Sequence, residues 1–103
     1  MKLVFGSVFE KDFAELVSRF AAEASREVAT HFEENTSDLV RLLLKNPELG
    51  RPRKDLKPPG IRSFRVRGFD RYRLFYQVRG GDLILLRLRH GGMNLQALFL
   101  HLA

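Results

Sequence analysis

The apolar residues of this chain change their spacing near its middle, so the two halves predict different secondary structure. Between Val8 and Lys45, apolar residues recur every three or four positions, which is the period of an amphipathic helix. Between Arg62 and His90 they alternate with polar residues, which is the period of a strand with one buried face. We therefore predict an α+β domain in which N-terminal helices pack on one face of a small antiparallel sheet.

The helical stretch is too long to be one element. A single helix over all of it would measure about 57 Å at 1.5 Å per residue, whereas a compact chain of this size is about 26 Å across. Ser25 suits the N-cap of a second helix. We therefore predict a helical hairpin with helices at residues 8–23 and 25–45, and residues 35–37 are the alternative break point.

Two further signals mark the beginning of the chain. Leu3–Phe5 is a short apolar run before Gly6 and predicts a brief strand added to the sheet. Ser7 and Glu10 have the spacing of a capping box, in which the serine and glutamate side chains satisfy backbone amides at a helix start. We therefore predict that Ser7 caps the first helix.

The alternating half predicts three consecutive strands joined by tight hairpins, with turn signals at Gly68-Phe69-Asp70 and Gly80-Gly81-Asp82. One parity is apolar or aromatic and predicts the core face, and its tyrosines are expected to be packing residues with hydrogen-bonded hydroxyls. The core parity consists of Phe64, Val66, Tyr72, Leu74, Tyr76, Val78, Ile84, Leu86 and Leu88. The opposite parity is rich in arginine and contains Arg65, Arg67, Arg71, Arg73, Arg87 and Arg89.

Two segments flank the predicted strands. Residues 48–60 form a basic connection interrupted by proline and glycine, which predicts a surface linker. Residues 93–103 follow the break at Gly91-Gly92 and predict either a short helix or a final strand.

Length and composition limit the classes of protein that fit. A chain of 103 residues has room for one modest core, so we expect a single domain over residues 1–103. Cysteine is absent, which excludes disulfides, thiolate chemistry and cysteine-based zinc sites, and we expect neither a metal nor a cofactor. The apolar runs are too short for a signal peptide or a membrane span, so we expect a cytoplasmic protein without a membrane partner.

Charge divides the chain as clearly as hydrophobic spacing does. Residues 1–50 hold six Lys and Arg against nine Asp and Glu, a net charge of −3, whereas residues 51–103 hold twelve against three, a net charge of +9. The arginine parity contains no acidic residue, and a passive solvent-exposed sheet face normally mixes signs. We therefore interpret this parity as a surface for a protein partner or a nucleic acid. The candidate binding residues are Arg65, Arg67, Arg71, Arg73, Phe75, Arg87 and Arg89.

Phe75 interrupts the arginine parity and has two interpretations. It lies under the C-terminal segment as a packing residue, or it is exposed as an anchor for a partner helix or as a stacking platform for a base.

Four short pieces of sequence occur in order along the chain. They are Pro47-Glu-Leu-Gly50, Arg62-Ser-Phe-Arg-Val66, Tyr72-Arg-Leu-Phe-Tyr76 and His90-Gly91. In residue sequence, in spacing and in predicted element order, this chain resembles the RelE/ParE family of toxins from bacterial type II toxin-antitoxin modules. The resemblance covers nearly the whole chain. The resemblance implies a toxin that forms an oligomer with a cognate antitoxin, whose disordered segment folds over the toxin and neutralises it.

The family divides by target, because RelE-like members cut messenger RNA on the ribosome and ParE-like members poison DNA gyrase. For a nuclease, the resemblance implies general acid–base cleavage, in which a 2′-hydroxyl is deprotonated and a charged phosphorane is stabilised. The candidate catalytic residues carried over to this chain are Arg53, Lys54, Arg67, Arg87 and His90.

The end of the last predicted strand favours the ParE-like branch. A nuclease member would have an arginine just after this strand and often a later tyrosine, whereas this chain has Gly91-Gly92-Met93 and no tyrosine after Tyr76. ParE-like members also end the strand with His-Gly, although they commonly continue with Arg-Asp where this chain has Met93-Asn94. We therefore expect a ParE-like toxin that binds DNA gyrase. A RelE-like ribosome-dependent mRNA endoribonuclease is the alternative, and a degenerate, non-toxic member is a third hypothesis.

Overall fold

The computed structural model describes residues 1–92 and 94–102, so Met93 and Ala103 of the predicted C-terminal segment lie outside the described residues. It confirms the predicted α+β fold, with two N-terminal helices packed on one face of a five-stranded sheet. The elements are β1 (Lys2–Phe5), α1 (Ser7–Glu23), α2 (Arg26–Lys45), β2 (Arg51–Pro52), β3 (Ile61–Val66), β4 (Phe69–Arg79), β5 (Asp82–His90) and a C-terminal 3₁₀ helix (Gln96–Leu102).

The strands follow the order β1-β5-β4-β3-β2 across the sheet. β1 pairs with β5 in parallel, and the remaining neighbours are antiparallel. The three strands predicted from the alternating half therefore form the centre of the sheet, and the predicted N-terminal strand is confirmed as one edge. β2, which the sequence did not predict, forms the other edge within the basic connection.

The start of α1 shows that the predicted capping box is wrong. The N-cap is Gly6, and no side chain in the described part of the protein caps this helix end. The Gly6 amide instead donates to the carbonyl oxygen of Leu85 at 3.0 Å, and a Cβ atom on Gly6 would lie 2.6 Å from that oxygen. The start of α1 is therefore fixed by the close contact between Gly6 and β5, which leaves no room for a side chain at Gly6. The hydroxyl of Ser7 does not cap the helix.

The predicted helical hairpin is confirmed. Ser25 is the N-cap of α2, and its Oγ accepts a hydrogen bond from the Val28 amide at 3.1 Å. The alternative break at residues 35–37 lies inside α2. This position was predictable because a serine cap acts on the backbone only three residues away.

The two helices and one face of the sheet enclose the main core. Phe32 of α2 is fully buried at its centre, with its ring centroid 5.0 Å from those of Phe20 and Phe69 and 5.9 Å from that of Tyr72. Burial of one such phenylalanine side chain stabilises the fold by about 1.5–3 kcal/mol. The buried members of the main core are Phe9, Leu16, Phe32, Leu39, Val40, Leu43, Val66, Leu74, Tyr76, Leu83, Leu85 and Leu88.

A β-bulge separates the two halves of β5. The cross-strand pairs pass from Phe75 with Arg87 to Tyr76 with Leu85, so Leu86 has no partner of its own on β4. Because of this extra residue, the side chains of β5 that precede the bulge point to the opposite face from the one that strict alternation predicts.

Because of the bulge, part of the predicted core face is wrong. Strict alternation predicts Ile84 and Leu86 in the main core, but both face the other side of the sheet, and Leu83 and Leu85 take their place. Val78 was also predicted to be buried and is 42% exposed, because it lies at the end of β4 beside the turn into β5.

Both strand connections are two-residue turns, Arg67–Gly68 and Gly80–Gly81. Gly68 has a φ of +81°, and Gly80 and Gly81 have φ values of +57° and +82°, which glycine adopts without strain. The predicted turn positions are confirmed, except that Phe69 and Asp70 already belong to β4 and Asp82 already belongs to β5.

The face of the sheet opposite the helices, here called the distal face, carries a second and smaller core. The C-terminal 3₁₀ helix and the connection between β2 and β3 cover part of this face, so of the two predictions for the C-terminal segment the helix is correct. The connection is more than a surface linker, since it contributes a buried leucine. The buried members of this distal core are Leu56, Ile61, Phe75, Leu86, Leu98 and Phe99.

Candidate functional site

Cross-strand pairing arranges the predicted binding residues in rows on the distal face. Arg65, Arg73 and Arg89 are direct partners across β3, β4 and β5. The neighbouring row, closer to the β4–β5 turn, consists of Ser63, Phe75 and Arg87. Like charges directly opposite each other destabilise a sheet, so the arginine row requires counter-charges or an anionic ligand.

Phe75 lies inside the distal core. It is fully buried, with its ring centroid 5.4 Å from that of Phe99 and the Arg53 guanidinium 5.7 Å from its ring. The side-chain amide of Gln96 holds the 3₁₀ helix in place, because it accepts from the Lys57 amide and donates to the Lys57 carbonyl, each at 3.1 Å. Of its two interpretations, Phe75 is thus a packing residue, and contact with a partner would require displacement of the 3₁₀ helix.

Asp12 of α1 supplies the counter-charge for β5. Its carboxylate is buried and accepts from Nε and Nη2 of Arg87 at 2.7 and 3.0 Å. It also accepts from the Leu88 amide at 3.1 Å, at an edge of β5 that β1 leaves uncovered after Leu85. Arg87 in addition donates to the Leu98 carbonyl at 2.8 Å. This group of hydrogen bonds joins α1, β5 and the 3₁₀ helix.

Sequence reasoning missed Asp12, although a signal was present. Asp12 follows Phe9 by three positions and precedes Leu16 by four, so it occupies the apolar stripe of α1. Aspartate is seldom fully buried unless it is paired. An acidic residue on the buried face of this helix therefore indicates an ion pair with the arginine-rich sheet.

Arg89 is neutralised by the same helix. Its Nη1 lies 3.5 Å from carboxylate oxygens of both Asp12 and Glu15, and its side chain is only 15% exposed. Its Nε is buried and has no hydrogen-bond partner among the described residues. Both arginines of β5 thus serve the interior of the protein instead of forming an exposed binding surface.

The arginines of β3 and β4 have few counter-charges. Arg65, Arg67 and Arg71 are exposed and Arg73 is half-buried. Within the described residues, their one acidic contact joins Nε of Arg65 to Asp70 at 3.6 Å, and both side chains of this pair are mostly exposed. Such a pair contributes at most about 1 kcal/mol. We call Arg65, Arg67, Arg71 and Arg73 the arginine hairpin.

The first two residues of the predicted nuclease set lie in the connection between β2 and β3. Arg53 donates to Asp55 at 2.8 Å and to the Ser63 hydroxyl at 3.3 Å, and Lys54 is exposed. The hydrogen bond from Arg53 holds the pKa of the Asp55 carboxyl below its usual value. Arg53 is therefore tied to the protein itself.

The other three predicted nuclease residues lie elsewhere. Arg67 is at the β3–β4 turn, and Arg87 is bound by Asp12. His90 lies on the helix side of the sheet, where its ring packs 5.5 Å from that of Tyr72 and its Nδ1 accepts from the Gly92 amide at 3.0 Å. The structure therefore does not assemble the five residues into one site.

Tyr76 connects two of the sequence pieces that carried the family resemblance. Its buried hydroxyl donates to the Pro47 carbonyl and accepts from the Gly50 amide, each at 2.8 Å. A Cβ atom on Gly50 would lie 2.3 Å from that hydroxyl, so only glycine fits. Burial raises the pKa of Tyr76. The prediction of a packing tyrosine with a hydrogen-bonded hydroxyl is confirmed at this position.

An apolar groove of about 450 Å³ lies away from the distal face, between β1 and the two helices. Phe5 at its edge is 52% exposed. Glu10 and Arg41 also line the groove. Exposed apolar surface of this kind often marks a protein–protein contact. The apolar lining consists of Leu3, Phe5, Phe9, Phe13, Val40 and Leu44.

The described residues show neither a membrane-spanning helix nor a metal-binding cluster. Across residues 1–92 and 94–102, none of the helices combines the length and apolar character needed to cross a membrane. The same residues contain no group of three or more histidine, aspartate or glutamate side chains arranged to hold a metal ion.

Comparison with known proteins decides the family. Residues 3–95 match the family described as the ParE toxin of the type II toxin-antitoxin system parDE. The chain belongs to the ParE toxin family. The ParE-like branch that the resemblance indicated is thereby confirmed.

One named toxin and one solved structure are similar to this ParE-family chain. It is 43% identical over 51 residues to Toxin ParE3 of Caulobacter vibrioides, a match that covers 50% of this chain and 47% of that protein. The match thus spans about half the length of this relative. A solved structure described as the chromosomal ParDE TA system from P. aeruginosa superposes with a TM-score of 0.72 at 18% identity, over 87% of this chain and 95% of that one. This structural likeness confirms the fold.

Proposed function

We propose that this chain is the toxin of a type II toxin-antitoxin module, that it inhibits growth by acting on DNA gyrase in the cytoplasm, and that a cognate antitoxin neutralises it. The match of residues 3–95 to the ParE toxin family carries the proposal. The partial match to Toxin ParE3 supports it, because that protein is itself named as a toxin.

The arrangement of the predicted nuclease residues supports action by binding. General acid–base cleavage requires several groups within hydrogen-bond reach of the reacting atoms. A backbone hydrogen bond joins Arg53 to Ile61 at the start of β3, whereas Arg67 follows the end of β3, about 20 Å of backbone away at 3.4 Å per residue. RelE-like cleavage of messenger RNA stays the alternative, but Arg67 would then have to act with residues outside the predicted set.

The gyrase proposal is tested with relaxed plasmid, purified gyrase and the purified chain in excess. We expect supercoiling to be inhibited, and we expect expression of the gene alone to arrest growth with DNA-damage signalling. Normal supercoiling in the presence of excess chain would overturn gyrase as the target, even if the chain is toxic in cells.

The alternative is tested by primer extension on translated messages after induction. Under the gyrase proposal the messages stay intact. Cleavage that disappears in Arg67→Ala but persists in Arg79→Ala would favour a nuclease, because Arg79 has the same charge at the opposite end of β4.

The apolar groove supports an antitoxin that binds as a helix. An amphipathic helix buries its apolar side in such a groove, between β1 and the two helices of this chain. Phe5→Asp should abolish capture of the antitoxin encoded beside the gene, whereas toxicity should persist. Val78→Asp is the matched control, because Val78 is also apolar and exposed but does not line the groove. Equal capture by the two variants would exclude the groove as the antitoxin site.

A further inference from the structure

The arginine hairpin ends in a two-stranded ribbon. β5 ends at His90, which pairs with Tyr72, and β2 pairs only with Arg62 and Ser63. The tip from residue 66 to residue 71 therefore has neither β5 nor β2 alongside it as a third strand. Arg67 and Arg71 lie within this tip, and Arg65 and Arg73 are direct cross-strand partners at its base. The register shifts between the base and the tip, because Val66 pairs with Phe69, so residues 70–72 of β4 bulge without a partner on β3.

The ribbon is held firmly against the helical layer. The Asn35 side chain of α2 donates to the Arg67 carbonyl at 2.9 Å, and the Gly91 amide donates to the Arg71 carbonyl at 2.7 Å. Phe69 anchors the inner side, since its ring lies 5.2 Å from that of Phe20 in an edge-on contact. The arginines are thus presented on a preorganised support, which lowers the entropy cost of binding.

Charge is distributed so that a polyanion would approach this side. Residues 7–45, which form the helical layer, hold eight acidic and five basic residues, a net charge of −3. Residues 65–73 contain the four arginines of the arginine hairpin and one acidic residue, Asp70. A polyanion is consequently repelled by one side of the molecule and attracted by the other.

The chemistry of the hairpin favours phosphates over a protein partner. None of residues 64–74 is among the exposed large apolar side chains of the described chain, so a protein would find no apolar anchor on these two strands. The exposed Leu42 of α2 lines a groove together with Arg65 and Arg67, so its contribution to binding needs its own test. Guanidinium groups match the geometry of phosphate oxygens, and phosphate contacts require no apolar anchor.

We propose that the arginine hairpin binds the backbone of duplex DNA, with the ribbon in the major groove and without sequence preference. The major groove of B-DNA is about 12 Å wide and admits a two-stranded β-ribbon, whereas the major groove of duplex RNA is too narrow. This DNA binding does not depend on gyrase, so it can hold or fail independently of the proposed target.

Fluorescence anisotropy with a labelled duplex of about 20 base pairs and arbitrary sequence measures the binding directly. Four phosphate contacts give a slope of about −3.6 in a plot of log affinity against log salt, so affinity should fall roughly 150-fold between about 50 and 200 mM salt. In the double variant Arg67→Ala/Arg71→Ala the slope should drop to about −1.8, and the same change of salt should cost roughly 12-fold.

Three variants separate site-specific binding from general attraction. Arg79→Ala removes one exposed arginine at the far end of β4 and should leave the slope nearly unchanged. Leu42→Ser should have no effect, and Asp70→Asn should tighten binding because it releases Arg65. Apart from Leu42, each altered position carries an exposed, charged side chain outside both cores. The variants should therefore fold, which circular dichroism verifies.

Four results would overturn the proposal. One is the absence of DNA binding at about 50 mM salt. Another is a decrease of the salt slope in Arg79→Ala that is half as large as in Arg67→Ala/Arg71→Ala, which would mean that each arginine counts equally and only net charge matters. A third is a loss of affinity in Leu42→Ser, which would indicate an apolar contact in place of binding through phosphates alone. The last is tighter binding of a duplex RNA of equal length, which would indicate an A-form ligand.

Discussion

The arginines of β5 and those of the arginine hairpin lie on neighbouring strands and partly in the same cross-strand row, yet their surroundings differ. Arg87 and Arg89 are 15% exposed and bound to carboxylates of α1. Arg65 lies in the same row as Arg89 but is 60% exposed, and its one acidic neighbour, Asp70 at 3.6 Å, is 78% exposed. A residue type and a strand parity therefore do not determine whether a charge stabilises the fold or faces a ligand.

The path of the helical layer explains this difference. β1 ends at Phe5, the chain turns at Gly6 against β5, and α1 then runs along the β5 edge that β1 has left uncovered. Asp12 thus reaches β5 and supplies a counter-charge there. Among the described residues, no helix brings a carboxylate within ion-pair distance of the arginine hairpin, so its charge stays available.

Removal of the buried carboxylate should have the largest effect. Asp12→Ala leaves Arg87 without its ion-pair partner and the Leu88 amide without its acceptor, so we expect a loss of about 3–5 kcal/mol in the free energy of unfolding, measured with urea. The control Asp38→Asn breaks an exposed pair with Arg41 and should cost less than about 1 kcal/mol. Similar values for the two variants would remove the distinction between buried and exposed charges.

Truncation in the distal core should rank second. Phe99→Ala removes the ring that covers Phe75, and we expect a loss of about 3 kcal/mol by the same measurement. Leu100→Ala in the same 3₁₀ helix should be nearly neutral, because Leu100 is 67% exposed. If both variants are neutral, the 3₁₀ helix does not stay on the distal face, and Phe75 becomes accessible to a partner.

The anchor of the connection between β2 and β3 should contribute less. Tyr76→Phe removes one hydroxyl and leaves the Gly50 amide and the Pro47 carbonyl without their partner. Loss of a buried hydrogen-bonding group of this kind costs about 1–3 kcal/mol. Tyr72→Phe is the control for removal of a tyrosine hydroxyl from the same core. If Tyr76→Phe is neutral, the connection is held in place by its other contacts.

The raised pKa of Tyr76 also predicts how stability depends on pH. The folded state keeps the Tyr76 proton more tightly than the unfolded chain does, whose tyrosine titrates near pH 10. The contribution of this group is therefore complete below about pH 10 and is lost as pH rises toward the folded pKa. Urea titrations above pH 10 should show a shallower decline in Tyr76→Phe than in the unaltered chain. Parallel declines would exclude Tyr76 as a source of the alkaline sensitivity.

Changes in the arginine hairpin should affect stability least. Arg71→Ala removes an exposed side chain without an acidic contact among the described residues, so we expect a change within about 0.5 kcal/mol. Arg87→Ala should instead destabilise the fold strongly, since it leaves Asp12 buried without its closest counter-charge. A large loss in Arg71→Ala would assign the hairpin arginines to the fold and weaken their assignment to a ligand.

Most of the architecture was predictable from the sequence, because its signals are local. The helical hairpin followed from apolar spacing and the cap at Ser25, and the central strands followed from alternation between glycine turns. The reversed side chains before Leu86 were not predictable, because a bulge depends on the register between two strands. Asp12 had a local signal in its position on the apolar stripe of α1, but its partner Arg87 is 75 residues away in sequence and only the packing of α1 on β5 identifies it.

The sequence by itself determined the α+β class, the order of the elements, the family resemblance and the basic character of the second half. Each of these depends on residues that are close in sequence or on simple sums of charge. Only the tertiary structure decided which arginines are neutralised, that Phe75 is covered, and that the predicted nuclease residues stay apart. The physical reason is that the energy of a charge depends on its burial and its neighbours, and contacts between distant residues set both.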